Sequence, residues 1–280
     1  MVAKETSKDK KFRIELICVG DELLSGITMN TNAHWLALEI AKLGGSLGRI
    51  TVVGDKVSEI ASIIQEAIAR KPSMILVTGG LGATYDDLTL EGLASAVGKK
   101  LALDERAVLM LKKSYSRRRL QYQLTKPRLK MAMIPEGSVP IQNLEGSAPG
   151  VRMSVGQTEI FCMQGVPREM QAIFRKNIVP IIKKTVGPFS AIEQNYEVEG
   201  VSEAMLAPAL VRIVDSFQRD ELYLKTHPRG YNGTNPKLRI QIVCRGARAA
   251  RVKKLLRTIS ALILREVSML SGTVCTKVEP

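Results

Sequence analysis

The fold of this chain is decided by the stretch Thr78-Gly79-Gly80-Leu81-Gly82-Ala83-Thr84-Tyr85-Asp86-Asp87. It follows a short apolar run, residues 74–77, and precedes a segment with helical features over 88–97. The order is therefore buried strand, glycine-rich turn and helix. Three glycines in four residues remove the side chains that would keep a ligand away from the backbone. The N–H groups of the turn and of the helix start would then face a ligand, which indicates a phosphate site.

Two adjacent carboxylates, Asp86 and Asp87, end the same turn. They would repel a bare phosphate, and a divalent cation resolves this conflict because hard cations take carboxylate and phosphate oxygens together. The stretch therefore predicts a metal-assisted phosphate site, with a divalent ion (Mg, Mn or Co) as the cofactor. An alternative stays open, in which one of the two aspartates is only the N-cap of the following helix. Capping alone explains the pair less well when Thr84 and Thr89 stand beside it.

Composition favours a globular protein of the cytoplasm. The 280 residues are 45% hydrophobic, and they contain no run of about 18 apolar residues that would predict a membrane span. Residues 1–11 are polar and charged without an apolar core, so we expect a disordered tail and no secretory signal. The four cysteines are far apart and lack the spacing of zinc ligands, which indicates free thiols in a reducing compartment.

The net charge of +14 favours an anionic partner. Much of the positive charge lies in two regions, residues 112–130 and 239–257. Such runs are most often solvated helix faces, and this interpretation stands beside nucleotide, RNA or membrane-surface binding.

The first part of the chain alternates strands and helices. Strands are predicted over 12–19, 47–53 and 74–78, with helices between them, and this βαβαβ order predicts a parallel sheet with helices on both faces. Ligands of such sheets bind at the carboxyl ends of the strands. Carboxylates that follow successive strands should therefore gather at one edge, together with the glycine turn. These carboxylates are Asp21, Glu22, Asp55, Asp86 and Asp87.

The chain divides into two predicted domains. An α/β, three-layer parallel-sheet domain covers residues 12–187, and a small βαββα two-layer α+β domain covers 188–270, followed by a tail over 271–280. In the second domain, Gly230-Tyr231-Asn232-Gly233 imitates the loop of KH domains. It lies between two predicted strands, so we interpret it as a hairpin turn.

Five motifs, taken in order, resemble one known family. They are the glycine turn, Gly20-Asp21-Glu22-Leu23-Leu24, Asn30-Thr31-Asn32, Gly146-Ser147-Ala148-Pro149-Gly150 and Gly165-Val166-Pro167-Arg168-Glu169-Met170. The first 185 residues resemble the N-terminal domain of the CinA proteins, which in turn looks like the MoaB/MogA molybdopterin-binding fold. The sequence departs from the family pattern at three positions: Ala83 and Gln164 stand where the family usually has proline, and Ser147 where it has threonine.

The resemblance implies two different functions. The CinA nucleotide domain is associated with metal-dependent ADP-ribose pyrophosphatase activity, and we take this hydrolase reaction as the leading hypothesis. The relatives in cofactor synthesis bind molybdopterin, and their acidic residues match Asp55 and Asp87; this is the first alternative. The CinA amidohydrolase domain is not expected, because the last 90 residues resemble a small linking domain instead. A third and less favoured alternative is nucleic-acid binding by the basic second domain.

The site residues are assigned as follows. We predict Asp55, Asp86 and Asp87 as catalytic, and Asp21, Glu22 and Asp87 as metal ligands, with a carboxylate or metal-bound hydroxide as the base because no histidine is suitably placed. A nucleotide-like substrate and its phosphates are assigned to Asn32, Thr78, Gly79, Gly80, Gly82, Thr84, Gly146, Ser147, Ala148, Gly150, Gly165 and Glu169. We expect a homo-oligomer, either a dimer or a trimer, and no membrane partner.

Overall fold

The structure, a computed structural model, describes residues 12–117, 123–217, 221–270 and 273–278. The tail predicted over residues 1–11 lies outside this part of the chain. The chain divides into two compact units, with the boundary in the sequence between Val186 and Gly187.

The first unit alternates strands and helices, and the glycine turn lies between its third strand and the next helix. Its elements are β1 (Arg13–Val19), α1 (Asp21–Leu24), α2 (Thr31–Lys42), β2 (Ser46–Val53), α3 (Val57–Ala69), β3 (Met74–Thr78), α4 (Thr89–Ala96), β4 (Leu101–Leu103), α5 (Glu105–Arg117), α6 (Lys126–Lys130), β5 (Met133–Pro135), β6 (Val139–Ile141), β7 (Gly150–Val155), β8 (Thr158–Met163), α7 (Pro167–Ile173), a π-helical segment (Phe174–Ile178) and α8 (Val179–Val186).

Six of these strands form one sheet in the order β2-β1-β3-β8-β7-β6. The four strands β2, β1, β3 and β8 are parallel, and the hairpin β7–β8 adds antiparallel strands at one side. The predicted α/β fold with a mostly parallel sheet is therefore confirmed. The strands β4 and β5 form a separate two-stranded sheet.

Two apolar clusters cover the two faces of the large sheet, which makes the unit three-layered. Alternate residues of β1 point to opposite faces. Leu16 joins the cluster that includes Leu36 of α2. Ile17 joins the other, with Ile60 and Ile64 of α3. All five residues of β3 are buried, as expected for a central parallel strand.

The second unit contains β9 (Ser190–Glu199), α9 (Glu203–Asp215), β10 (Leu222–Asn232), β11 (Asn235–Gly246), α10 (Ala249–Met269) and β12 (Thr273–Val278). Its antiparallel sheet has the order β10-β11-β9-β12. The KH-like motif over residues 230–233 lies at the β10–β11 hairpin, as the hairpin interpretation expects.

The prediction of a tail over residues 271–280 is wrong for residues 273–278. These residues form β12, which pairs with β9 at the edge of the sheet. The partner strand begins about eighty residues earlier in the chain. A short edge strand of this kind takes its stability from that distant pairing, so its own six residues carry too weak a signal.

Candidate functional site

The carboxyl ends of the parallel strands meet at one edge of the large sheet. Asp55 follows β2, Asp21 follows β1, Gly79 follows β3 and Gly165 follows β8. These four strands are neighbours and run in the same direction, so the four positions lie side by side. The predicted gathering of these loops at one edge is therefore confirmed.

The glycine turn needs glycine for two separate reasons. Gly79 and Gly80 have φ angles of +98° and +64°, in the left-handed region that other residues rarely adopt. A Cβ atom on Gly79 would lie 2.2 Å from the carbonyl oxygen of Val19, and one on Gly80 would lie 2.5 Å from Thr89 Oγ1. The backbone of β3 can turn beside β1 only because these side chains are absent.

The start of α4 is tied to the turn. Thr89 donates its amide N–H to Gly80 O at 3.1 Å, and its buried hydroxyl donates to Gly79 O at 2.7 Å. The N-cap is Leu88, which makes no side-chain capping bond. The alternative in which Asp86 or Asp87 is the N-cap is therefore wrong.

The amide groups of the turn remain available for a ligand. Within the described part of the chain, the amide N–H groups of Gly80, Leu81 and Gly82 have no hydrogen-bond partner. The first N–H of α4 was also predicted to face a ligand, and this detail is wrong because that N–H is bonded to Gly80. Adjacent free amides such as those of the turn form anion-binding sites in proteins.

Asp86 and Asp87 converge on the hydroxyl of Thr84. Both carboxylates accept from Thr84 Oγ1, and Asp87 also accepts from the Thr84 amide at 2.8 Å. A hydroxyl has one proton, so it cannot satisfy both carboxylates at once. The bond from Thr84, together with the ammonium of Lys130, lowers the pKa of Asp86, which therefore stays ionised. Lys130 also holds the loop, because its Nζ donates to Thr84 O at 2.7 Å.

Asp21 and Asp55 bind each other's backbone. Asp55 Oδ2 accepts from the Asp21 amide at 2.8 Å, and Asp21 Oδ1 accepts from the Asp55 amide at 3.2 Å. Burial raises the pKa of Asp55, and the nearby charges of Asp21, Glu22 and Asp86 raise it further, while the bond from the Asp21 amide opposes this. The charge of Asp86 is the smallest of these influences on the Asp55 carboxyl.

The loop over residues 146–150 is held by an amide that the sequence analysis missed. Asn143 accepts from the Gly146 amide at 2.8 Å and donates to Ala148 O at 2.9 Å. It also donates to Glu169 Oε2 at 2.6 Å, which links the loop to the first turn of α7. A Cβ atom on Gly146 would collide with Glu169, 1.7 Å from Oε2, so glycine is required here for space.

Two clefts lie at this edge of the sheet, and Gly165 lines both. The main cleft has a volume of about 410 Å³, and seven of its lining residues were predicted: Gly80, Gly82, Asp87, Ser147, Ala148, Gly165 and Glu169. The remaining lining residues were not predicted from the sequence; they are Leu81, Met131, Gln164 and Val166. A side chamber of about 100 Å³ is lined by Glu22, Asn32 and Thr78, among others.

The other predicted site residues lie at the same edge without lining either cleft. These are Asp21, Asp55, Gly79, Thr84, Asp86, Gly146 and Gly150. The reciprocal bonds of Asp21 and Asp55 turn both carboxylates towards backbone amides, which explains their position. Gly79 and Gly146 act by giving room to neighbouring groups.

Gln164 lines the main cleft but was not predicted as a site residue. The one clue to it in the sequence is that it stands where the family usually has proline. Its Nε2 donates to Ala148 O at 2.6 Å and to Pro149 O at 3.0 Å. Its Oε1 is buried and has no partner among the described residues. Asn32 shows the same pattern, with Nδ2 donating to Gly165 O at 2.6 Å and Oδ1 unpartnered.

The predicted metal ligands do not come together as a set of three. Among the described residues, no group of three or more His, Cys, Asp or Glu side chains could hold a metal ion. Glu22 lines the side chamber and Asp87 the main cleft, while Asp21 binds a backbone amide. Asp86 and Asp87 form the strongest remaining candidate, and the metal stays a prediction. No described helix is long and apolar enough to cross a membrane.

Comparison with known proteins gives the family. Residues 15–184 match the model of the probable molybdopterin binding domain. A protein from Metallosphaera sedula is 39% identical over 262 residues, which cover 94% of this chain and 97% of that protein. A protein from Sulfurisphaera tokodaii is 40% identical over 262 residues, covering 93% and 97%.

A solved structure supports the same assignment. The crystal structure of the protein CinA from Thermoplasma acidophilum is 37% identical, with a TM-score of 0.56, and the match covers 63% of this chain and 98% of that one. The similarity thus spans a length close to that of the first unit. The chain therefore belongs to the family of probable molybdopterin binding domains, and the predicted resemblance of its first unit to the CinA proteins is confirmed.

Proposed function

We propose that the first unit binds a phosphorylated pterin of the molybdopterin class in the main cleft. One observation carries this proposal: the turn with its three unpartnered amides and the loop over residues 146–150 line the same cleft of about 410 Å³. That volume lies within the usual range for a small-molecule site. The family to which the chain belongs supports the choice of a pterin.

The lining of the cleft offers both donors and acceptors, which suits the two ends of such a ligand. The amides of Gly80, Leu81 and Gly82 offer N–H donors to a phosphate, which needs donors and carries negative charge. Glu169 and Gln164, in the same lining, offer acceptor oxygens. A pterin ring carries an amino group and ring N–H groups, so its donors match these acceptors.

A pair of matched glycine variants tests the proposal. Gly80 and Gly98 both have a φ angle of +64°, so alanine causes the same backbone strain at both positions. At Gly98 the new methyl group meets open space, whereas at Gly80 it meets Thr89. We expect wild type and Gly98→Ala to bind a pterin monophosphate in calorimetry, and Gly80→Ala to bind at least about tenfold more weakly because the amides shift.

Stability measurements accompany this test. Gly98→Ala should cost about 1–2 kcal/mol of stability, and Gly80→Ala more, because steric collision adds to the strain. If Gly80→Ala fails to fold, Gly82→Ala replaces it, since its methyl group would lie 2.5 Å from Asp87 Oδ2. Absence of pterin binding by wild type, or equal binding by all variants, contradicts the proposal.

A second candidate is metal-dependent hydrolysis of ADP-ribose or a related pyrophosphate. The observation that favours it is the convergence of Asp86 and Asp87 on one hydroxyl proton, because two crowded carboxylates suit a cation. Two carboxylates and substrate phosphate oxygens are a common set of ligands for Mg²⁺. A bound ion would polarise the phosphate.

A hydrolysis screen tests this candidate. The purified protein is incubated with Mg²⁺, Mn²⁺ or Co²⁺ and with ADP-ribose, NAD, FAD or a dinucleoside polyphosphate. Metal-dependent release of a nucleoside monophosphate supports the enzyme, and no turnover with any combination contradicts it. The homo-oligomer, the cytoplasmic location and the nucleic-acid alternative stay predictions.

A further inference from the structure

Gln164 has a buried side-chain amide and lies between the end of β8 and Gly165, the residue that lines both clefts. Its exposure is 6%, and it lines the main cleft. Its two hydrogen bonds, to Ala148 O and Pro149 O, fasten the loop over residues 146–150 to the strand. Holding this loop is therefore one role of the side chain.

The orientation of this amide is fixed by its partners. Both are carbonyl oxygens, so the NH2 group must face them. The reverse orientation would place Oε1 against two acceptors, with no proton between them. Oε1 is consequently the group that is left over, and it has no partner in the described part of the chain. Buried acceptors are rarely left unpartnered, because burial removes the hydrogen bonds that water would supply.

We propose that Gln164 Oε1 accepts a hydrogen bond from an exocyclic amino group of the ring bound in the main cleft. This inference rests on the proposed pterin binding and adds the group that selects the ring. A phosphate at neutral pH lacks the donors that the oxygen needs, so Oε1 faces the ring end of the ligand. A ring with an oxo group in the same place would set two acceptors against each other and would bind more weakly.

The side chamber contains a second side-chain amide, that of Asn32, with the same combination of a bonded NH2 group and an unpartnered oxygen. Asn32 also donates to a backbone carbonyl, Gly165 O, and also keeps a buried oxygen without a partner. Two buried acceptors thus flank Gly165, one for each cleft that this residue lines. Acceptors on both sides of Gly165 suit a heterocycle with N–H donors better than a second phosphate.

Two ligands that differ at one group test the proposal. Calorimetry compares a pterin monophosphate with the matching lumazine monophosphate, in which a carbonyl oxygen replaces the amino group. Wild type should prefer the pterin by about tenfold or more, because the lumazine leaves Oε1 unpartnered. Gln164→Met, which has a similar size and no acceptor, should bind both ligands with a ratio near one. Gln65→Met is the matched control, because Gln65 also donates to a backbone carbonyl, Ala96 O, and does not line either cleft.

The ratio of the pterin affinity to the lumazine affinity shows whether Gln164 selects the ring or only holds the loop over residues 146–150. If Gln164 only holds the loop, Gln164→Met weakens both ligands equally and keeps the wild-type ratio, which overturns the proposal. A wild-type ratio near one also overturns it, and this measurement needs no variant that could fail to fold. Pterin binding with no preference leaves the proposed function standing. Binding of inorganic phosphate alone, with neither ring ligand bound, overturns both.

Discussion

Two pairs of aspartates stand at the same edge of the sheet and have opposite surroundings. In the Asp21–Asp55 pair, each carboxylate accepts from the backbone amide of the other residue. In the Asp86–Asp87 pair, both carboxylates compete for one hydroxyl, that of Thr84. The first pair ties two strand ends together, whereas the second concentrates charge beside the main cleft.

One aspartate of each pair has a shifted pKa, and the pKa values of Asp55 and Asp86 move in opposite directions. Burial and neighbouring carboxylates raise the pKa of Asp55. The Thr84 hydroxyl and Lys130 lower the pKa of Asp86. A carboxylate at this edge can therefore be either a structural connector or a charged site group, and its hydrogen-bond donors decide which. The comparison predicts that one pair matters for stability and the other for chemistry.

The largest expected effect breaks the second pair. Asp87→Asn keeps an oxygen that can accept from Thr84, but it removes one of the two crowded charges. If the pair holds a cation for pyrophosphate hydrolysis, turnover should fall by roughly 10²-fold or more, a typical effect of losing one preorganised electrostatic group. The measurement is hydrolysis at saturating metal.

Thermal unfolding without metal is the control for Asp87→Asn. Stability should stay level or rise, because crowded carboxylates repel each other when no cation is present. Unchanged hydrolysis would make Asp87 a structural partner of Thr84 and would leave pterin binding as the function of the site.

A smaller effect breaks the first pair. Asp21→Ala removes the acceptor for the Asp55 amide and should cost about 0.5–1 kcal/mol of stability, because this edge is exposed and water replaces part of the bond. Asp21→Asn keeps the acceptor and should cost less. Urea unfolding of both variants checks the difference. Equal costs, or a loss of pterin affinity with intact stability, would give Asp21 a role in the site that the comparison denies.

Sequence reasoning located the edge because each strand end carries a local signal. The apolar run of β3 followed by Gly79 and Gly80 marks the turn, and Asp21 and Asp55 each follow an apolar strand. The mutual bonding of Asp21 and Asp55 joins residues 34 positions apart. It depends on β1 and β2 being neighbours, which no single stretch encodes.

The roles of the side-chain amides of Asn143 and Gln164 could not be predicted from the sequence either. Asn143 and Gln164 act by bonding backbone atoms of a loop that has no regular structure, and only the folded chain brings them together. The loop over residues 146–150 was assigned from the sequence to the same ligand as the glycine turn, and residues of both line the main cleft. The fastening of this loop by these two amides needed side-chain geometry.

The smallest expected effect is a difference between Asp55 and Asp86 in how stability depends on pH. Because the folded pKa of Asp55 is raised, the native state holds this proton more tightly than the unfolded chain does. Stability from Asp55 is therefore lost as the pH rises from about 4, the usual pKa of an aspartate, through the folded pKa. Asp55→Asn should remove this loss and raise the melting temperature near neutral pH, on the order of 1 °C.

Asp86→Asn should have the opposite sign. The lowered pKa of Asp86 gives stability that is present above pH about 4 and is lost as the pH falls through the folded pKa. Removing that charge should therefore lower the melting temperature at neutral pH and leave it unchanged in strong acid. Melting curves of both variants from pH 3 to 7 check the prediction. Shifts of the same sign would show that the two pairs share one role, which would remove the distinction between a connector pair and a site pair.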